Sequence, residues 1–381
     1  MDFDFSEEQK MFQKQVRDFC VREVGPLVAE AEAKEETPLQ LFPRMGGLGY
    51  LCARYPEKYG AAEMGKISEC ILLEELARIC GGIAAAMMVH SGLGTSMINE
   101  HGSEELKQKY LVPAIKGQMI SAFGLTEPNA GSDAANMSTK AVKQGDHYII
   151  NGNKIFITNG PYADFVCVAA YTDKSKGASK GVSVIVVEKG SPGYSVARKM
   201  DKLGNRSAGT AELVFDNCRV PASNLVGEEG KGFRYVMETL DGGRIAHAAR
   251  SLGVAQAAFE ASVKYSNERI QFGQPIGKFQ AISFKLARMA MQLEAARCLT
   301  YYAAWLYDQK RRCLKEASMA KLFASEVVVD VTAEAMEIHG GYGYMMDSPI
   351  QRYYRDARLY PITEGTSEIM HVVISREIGV P

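Results

Sequence analysis

The sequence predicts an α+β protein in three consecutive parts: a helical domain over residues 1–118, a β-domain over 119–228 and a helical bundle over 229–381. Apolar residues recur at helical spacing in the first part, and short β-branched runs separated by turn dipeptides fill the second. Three long stretches rich in Ala, Leu, Met and Glu fill the third. With 381 residues, 46% of them hydrophobic and 23% charged, the chain can bury a large core.

The elements follow in order. Ser6-Glu7-Glu8-Gln9 reads as an N-cap ahead of the periodic apolar set Phe12, Val16, Phe19, Cys20 and Val24. Ile67–Ile79 and Glu104–Tyr110 have the same character, with Gly- and Pro-containing breaks between them. From about residue 120 come His147–Ile150, Lys154–Thr158, Phe165–Val168 and Val182–Val187, read as strands, with Asn151-Gly152, Asn159-Gly160 and Lys189-Gly190 read as turns. Glu212–Val220 reads as the closing strand. Arg244–Arg269, Ile282–Tyr307 and Leu314–His339 read as long helices with short links.

Composition narrows the function. A net charge of −1 argues against a nucleic-acid surface or a polybasic membrane patch. The eight cysteines lack C-x-x-C spacing and read as reduced, packed thiols. The six histidines are dispersed, so no metal site is expected. The acidic start Met1-Asp2-Phe3-Asp4 is unlike a signal peptide, and no apolar run is long enough to span a bilayer. A cytoplasmic location without membrane insertion is expected, or a mitochondrial matrix location if a transit peptide has been removed. No Rossmann, P-loop or nucleophile-elbow motif occurs, so a nucleotide cofactor must be held in another way.

Four motifs remain. Gly124-Leu125-Thr126-Glu127-Pro128-Asn129-Ala130-Gly131-Ser132-Asp133 is a glycine-framed, hydroxyl-rich loop where the first helical block meets the β-domain. Arg269-Ile270-Gln271-Phe272-Gly273-Gln274-Pro275-Ile276 is followed by Gln280, and Glu337-Ile338-His339-Gly340-Gly341-Tyr342-Gly343-Tyr344 ends a long helix. Thr363-Glu364-Gly365-Thr366-Ser367-Glu368-Ile369 sets a carboxylate before a glycine and two hydroxyls. Taken alone, each fits a turn or a helix cap as well as a site.

Together, in this order and over essentially the whole chain, they closely resemble the acyl-CoA dehydrogenases. The resemblance implies that family's α–β–α fold and FAD bound non-covalently. Phe123, Leu125 and Thr126 resemble its contacts to the flavin pyrimidine, and Phe156, Ile157 and Thr158 its isoalloxazine strand. Ser132 resembles the residue at the pyrophosphate and CoA end. Arg269, Phe272 and Gln280 match residues reaching the FAD of a neighbouring subunit, while Glu337, Gly340, Gly341 and Gly343 match the adenine-side turn. Thr366 and Glu368 match FAD contacts after the base. Asp241 and Arg244 resemble the pair that grips CoA, and Gly365 allows close approach to the thioester.

The same resemblance makes Glu364 the catalytic base. An α-proton of a thioester is weakly acidic, so its removal needs a carboxylate in a desolvated cleft and electrostatic support for the enolate. The implied reaction is α,β-dehydrogenation to the enoyl-CoA, with the β-hydrogen leaving as hydride to the flavin. The implied partners are an acyl-CoA substrate, an electron-transfer flavoprotein and three further copies in a homotetramer built from dimers. Three departures stand out: Asn136 replaces a smaller residue, Thr363 an aromatic, and Gly243 occupies the position that carries an alternative catalytic Glu in some members. Gly102-Ser103-Glu104-Glu105 is similar to a run in glutaryl-CoA dehydrogenases. Ala84, however, stands where those enzymes carry the arginine for a distal carboxylate, which favours a compact uncharged acyl group. His90 and Ser91 are further candidates to touch the acyl group, though packed or surface roles suit both. An oxidase or monooxygenase on the same fold, and a non-catalytic thioester-binding protein, are the alternatives.

Overall fold

The computed structural model describes residues 4–380, so the acidic start at Met1–Phe3 lies outside the described residues. Helix α1 (Glu7–Phe19) begins with a reciprocal cap, in which the Gln9 N–H donates to Ser6 Oγ and the Ser6 N–H donates to Gln9 Oε1. Its inner stripe of Phe12, Val16 and Phe19 is buried and continues through Cys20 and Val24. Helices α2 (Gly65–Ile79) and α3 (Gly81–Met88) are enclosed on almost every side: α3 is apolar all round, whereas α2 buries Glu69, Glu74 and Glu75 against Lys66, Arg297 and Arg17.

The middle of the chain forms a seven-stranded sheet. Its strands are β1 (Ser121–Gly124), β2 (Lys140–Gln144), β3 (His147–Thr158), β4 (Phe165–Tyr171), β5 (Val182–Glu188), β6 (Tyr194–Lys199) and β7 (Thr210–Pro221). β1 pairs parallel with β4, β4 antiparallel with β5, and β2, β3, β7 and β6 follow as antiparallel neighbours. Asn151-Gly152 is not the turn the sequence suggests. One strand runs through it, with a register shift between Ile150 and Gly152. Gly152 has φ 148°, and a Cβ there would lie 2.4 Å from Thr139 Oγ1, so the glycine marks a bulge where another backbone comes close.

The C-terminal part is built on α4 (Gly232–Glu268), α5 (Gln280–Asp308) and α6 (Leu314–His339), followed by α7 (Pro349–Ala357) and α8 (Ser367–Glu377). α4 starts a dozen residues before the expected Arg244, because Gly242-Gly243 sits inside the helix rather than breaking it. α4 packs on both α6 and α2, so one core joins the first and last parts of the chain. The segment that carries Glu364 lies against this junction. Among the described residues no helix is long and apolar enough to cross a membrane, and no group of acidic, His and Cys side chains could hold a metal ion. All eight cysteines are free and seven are buried.

Candidate active site

The segment that carries Glu364 links α7 to α8. Glu364 follows α7 in a left-handed turn, with φ 58°, and Gly365 continues it at φ 92°. Only glycine suits position 365, since a Cβ would also lie 2.6 Å from Met370 Cε. Thr366 then caps α8 by accepting from the Ile369 N–H at 3.3 Å, and the exposed Glu368 sits in the helix's first turn, where its charge suits the dipole. The turn aims Glu364 at α4. A Cβ built on Gly243 would lie 2.8 Å from Glu364 Oε2.

Glu364 Oε2 is buried and has no hydrogen-bond partner. Burial raises the acid's pKa above the ordinary carboxylate range, against the pull of Arg250, Arg244, Lys321 and Lys66. The result is a poorly solvated carboxylate whose proton affinity is raised, with cations near enough to support negative charge. Such a group is suited to take a proton from carbon. Arg244 donates to Asp241 Oδ1 at 2.9 Å, one turn back on α4. Burial still pushes Asp241 up to about 6, with Arg244 opposing.

The Leu125–Thr126 loop is assembled on the sheet. The Ile155 N–H donates to Thr126 O at 2.9 Å, and Lys154 Nζ donates to Leu125 O at 2.9 Å and to Glu127 Oε1 at 2.7 Å. Both Lys154 and Glu127 are buried. A second register shift, between Lys154 and Ile157, places Phe156 at φ 62° and turns its ring outward, 62% exposed. Ile157 points into the sheet core, so it can meet a ligand only through its backbone. Phe123 is buried. The Thr126 and Thr158 hydroxyls are half-buried, and neither makes a hydrogen bond within the described residues. An outward aromatic beside two unused hydroxyls fits a flat heterocycle with a polar edge, such as a flavin.

A second region is separate. Arg269, Phe272, Glu337, Gly340 and Gly341 line a surface cleft of about 700 Å³ that includes none of the residues just described. Arg269 lies 5.6 Å from the Tyr342 ring, and Phe272, at φ 50°, is 93% exposed. Gly343 differs from its neighbours: it is buried, and a Cβ would lie 2.9 Å from His339 Cβ, so it serves packing rather than the cleft. Gln280 is exposed at the start of α5, outside that lining, and Ser132 is exposed on its loop.

The residues offered for the acyl group fare differently. His90 is fully buried, with Nε2 3.0 Å from Ala114 O and Nδ1 accepting from the Ser121 N–H, and burial pushes it down to about 4. It is a neutral packing residue. Ser91 Oγ accepts from the Cys52 N–H and lines a cavity of about 10 Å³, with Met87, Met88 and Glu69. Ala84 is enclosed in the helical core and does not line it. Sequence reading missed three buried cations, Lys154 under the Leu125–Thr126 loop and Arg250 and Lys321 near Glu364. The available signal was a charge in core register: Lys321 falls between Ala317 and Ala324, on the stripe that also carries Val328.

Family models for the N-terminal, middle and C-terminal domains of acyl-CoA dehydrogenase match residues 6–118, 122–218 and 230–379. A short-chain-specific acyl-CoA dehydrogenase of Clostridium acetobutylicum is 46% identical over 99% of this chain and 100% of its own. The structure of butyryl-CoA dehydrogenase from Megasphaera elsdenii superposes with a TM-score of 0.96 at 44% identity, covering 99% of this chain and 100% of that one. A chain in the structure of the electron transferring flavoprotein of Acidaminococcus fermentans, studied for flavin-based electron bifurcation, gives a TM-score of 0.97 at 45% identity, with full coverage of both. The chain therefore belongs to the acyl-CoA dehydrogenase family.

Proposed function

We propose that the protein dehydrogenates a short acyl-CoA thioester between its α and β carbons, with Glu364 as the base. The observation that carries this reading is the buried, unpartnered Glu364 Oε2, directed at Gly243. The carboxylate takes the α-proton, and Arg244, Arg250, Lys321 and Lys66 supply a positive surround for the charge that moves. The Glu364 N–H would serve as a donor for the thioester oxygen. When bound, FAD supplies the hydride acceptor. Thr126, Thr158 and the outward Phe156 would hold its ring, with Leu125 and Phe123 behind.

Arg269, Phe272, Glu337, Gly340 and Gly341 would reach the FAD of a second subunit, which accounts for a cleft lined by none of the base or sheet residues. Gln280 would join them from the start of α5, and Thr366 and Glu368 would contact the same cofactor beside the base. The assembly follows as a homotetramer of two such dimers. Asp241, Arg244 and Ser132 would meet the CoA portion. Likeness to a chain in an electron transferring flavoprotein structure supports such a protein as the electron acceptor. The bacterial relatives support a cytoplasmic location. We place the domain boundaries after residues 118 and 228, where helix gives way to β1 and the sheet gives way to α4.

The test mixes the FAD-loaded protein anaerobically with butyryl-, isobutyryl-, cyclohexanecarbonyl- and glutaryl-CoA. Bleaching of the flavin with formation of an enoyl-CoA two hydrogens lighter is expected, fastest with a compact uncharged acyl group. A flavin that stays oxidised with all four would contradict the proposal. Rapid peroxide formation in air would make the enzyme an oxidase instead.

A further inference from the structure

Lys321 is a buried cation whose ammonium touches no carboxylate. It sits in the middle of α6, fully enclosed, and forms no ion pair among the described residues. Its ammonium donates instead to two carbonyls of the base segment, Gly365 O at 2.6 Å and Pro361 O at 3.4 Å. Enclosing an ammonium with only carbonyl partners is costly, and a methionine of similar length would fill the same space. The two carbonyls bracket Glu364, whose turn holds two successive residues at positive φ. A non-glycine residue there is strained and keeps one conformation only if its surroundings enforce it.

We infer that Lys321 is a positioning residue of the reaction: by clamping the Gly365 and Pro361 carbonyls it holds the Glu364 carboxylate and backbone N–H in one geometry. This rests on Glu364 being the base. The clamp reaches across elements, since the ammonium comes from α6 while the carboxylate it steadies is directed at Gly243 on α4. The charged and titratable groups facing the ammonium are Glu364 and Glu368 on the base segment and α8, Arg244 and His247 on α4, and Glu326 on α6 itself. Removing the ammonium should therefore free the turn and also withdraw a positive charge from Glu364.

Lys321→Met removes the donors and the charge while keeping the length, and Lys321→Gln restores a neutral donor. In FAD-loaded Lys321→Met, acyl-CoA affinity should stay within about 3-fold of wild type, while flavin reduction slows by roughly 10²-fold. The acid limb of the rate–pH profile should move to higher pH, because Glu364 has lost a nearby cation. Lys321→Gln should recover part of the rate but keep the moved limb. Reduction by Lys321→Met within about 3-fold of wild type would overturn the inference, as would a slow variant whose acid limb has not moved. Failure of both variants to fold and load FAD would make Lys321 a structural residue and overturn it too. If wild type is not reduced by any acyl-CoA, the proposed function fails rather than the role of Lys321.

Discussion

The Glu364 carboxylate fills the space that a side chain at position 243 would need. A Cβ on Gly243 would stand 2.8 Å from Glu364 Oε2 and 3.1 Å from Leu93 Cδ2. The two places where the family pattern allows a base thus converge on one spot from opposite sides, and here only one of them carries a carboxylate. In Gly243→Ala the gain of up to about 1 kcal/mol from replacing a helix-interior glycine should be cancelled by crowding against Glu364 and Leu93, leaving stability nearly unchanged. The added methyl should also displace the carboxylate and slow flavin reduction by at least about 10-fold. Thermal unfolding and stopped-flow reduction on one sample would read both effects.

Lys154 and Glu127 form a buried ion pair beneath the loop that carries Leu125 and Thr126. Lys154→Met should destabilise the protein by about 3–5 kcal/mol and lower FAD retention, because it leaves Glu127 charged and unpaired. Adding Glu127→Gln should return part of the loss. Burial raises Glu127, but Lys154 and hydrogen bonds from Ser138 and Thr139 outweigh it and hold the acid at about 2. Its folded pKa is depressed, so the pair's stabilisation is present above the unfolded value and is lost as pH falls from about 4 towards 2. Denaturant titrations of both variants check the magnitudes.

Asp356 carries the opposite sign. Burial, with Glu32 nearby, pushes it up to about 7, although its Oδ1 accepts from the Asn205 N–H. The native state then holds a proton that the unfolded chain has released, so stability should fall as pH rises from about 4 to 7. Asp356→Asn keeps the acceptor and cannot ionise. Melting temperatures measured from pH 5 to 8 should slope downward less steeply in the variant.

Arg269 lies in the cleft away from the base segment. Arg269→Ala should weaken FAD retention and assembly together, if that cleft serves a second subunit. Light scattering and the ratio of flavin to protein absorbance test this. A monomer with full FAD occupancy would contradict the shared site.

Much of this was legible in the sequence where a local rule governs. The Ser6–Gln9 cap, the stripe Phe12–Val16–Phe19 and the end of α6 at His339 follow from short-range pattern. β3 was misread at Asn151-Gly152 because a turn dipeptide and a bulge share the same residues, and only Thr139 on β2's approach distinguishes them. The order of motifs singles out the Glu364 segment, which the structure folds against α4 and α6. The cations around it were not legible: Lys321 and Arg250 come from helices more than 40 residues away, and nothing local tells which segment a lysine in an Ala-rich stripe will meet. Gly343 shows the reverse, a motif glycine whose reason is the His339 side chain beneath it.

The central claim is that Glu364 removes the α-proton, and anaerobic stopped-flow bleaching of the flavin in Glu364→Gln tests it most directly. Glutamine keeps the size of the side chain but cannot accept the proton. The variant should bind FAD and acyl-CoA as wild type does, while flavin reduction slows by about 10²–10⁴-fold, the range expected for losing a general base. Reduction of the Glu364→Gln flavin within a few-fold of the wild-type rate would place the base elsewhere and contradict the account.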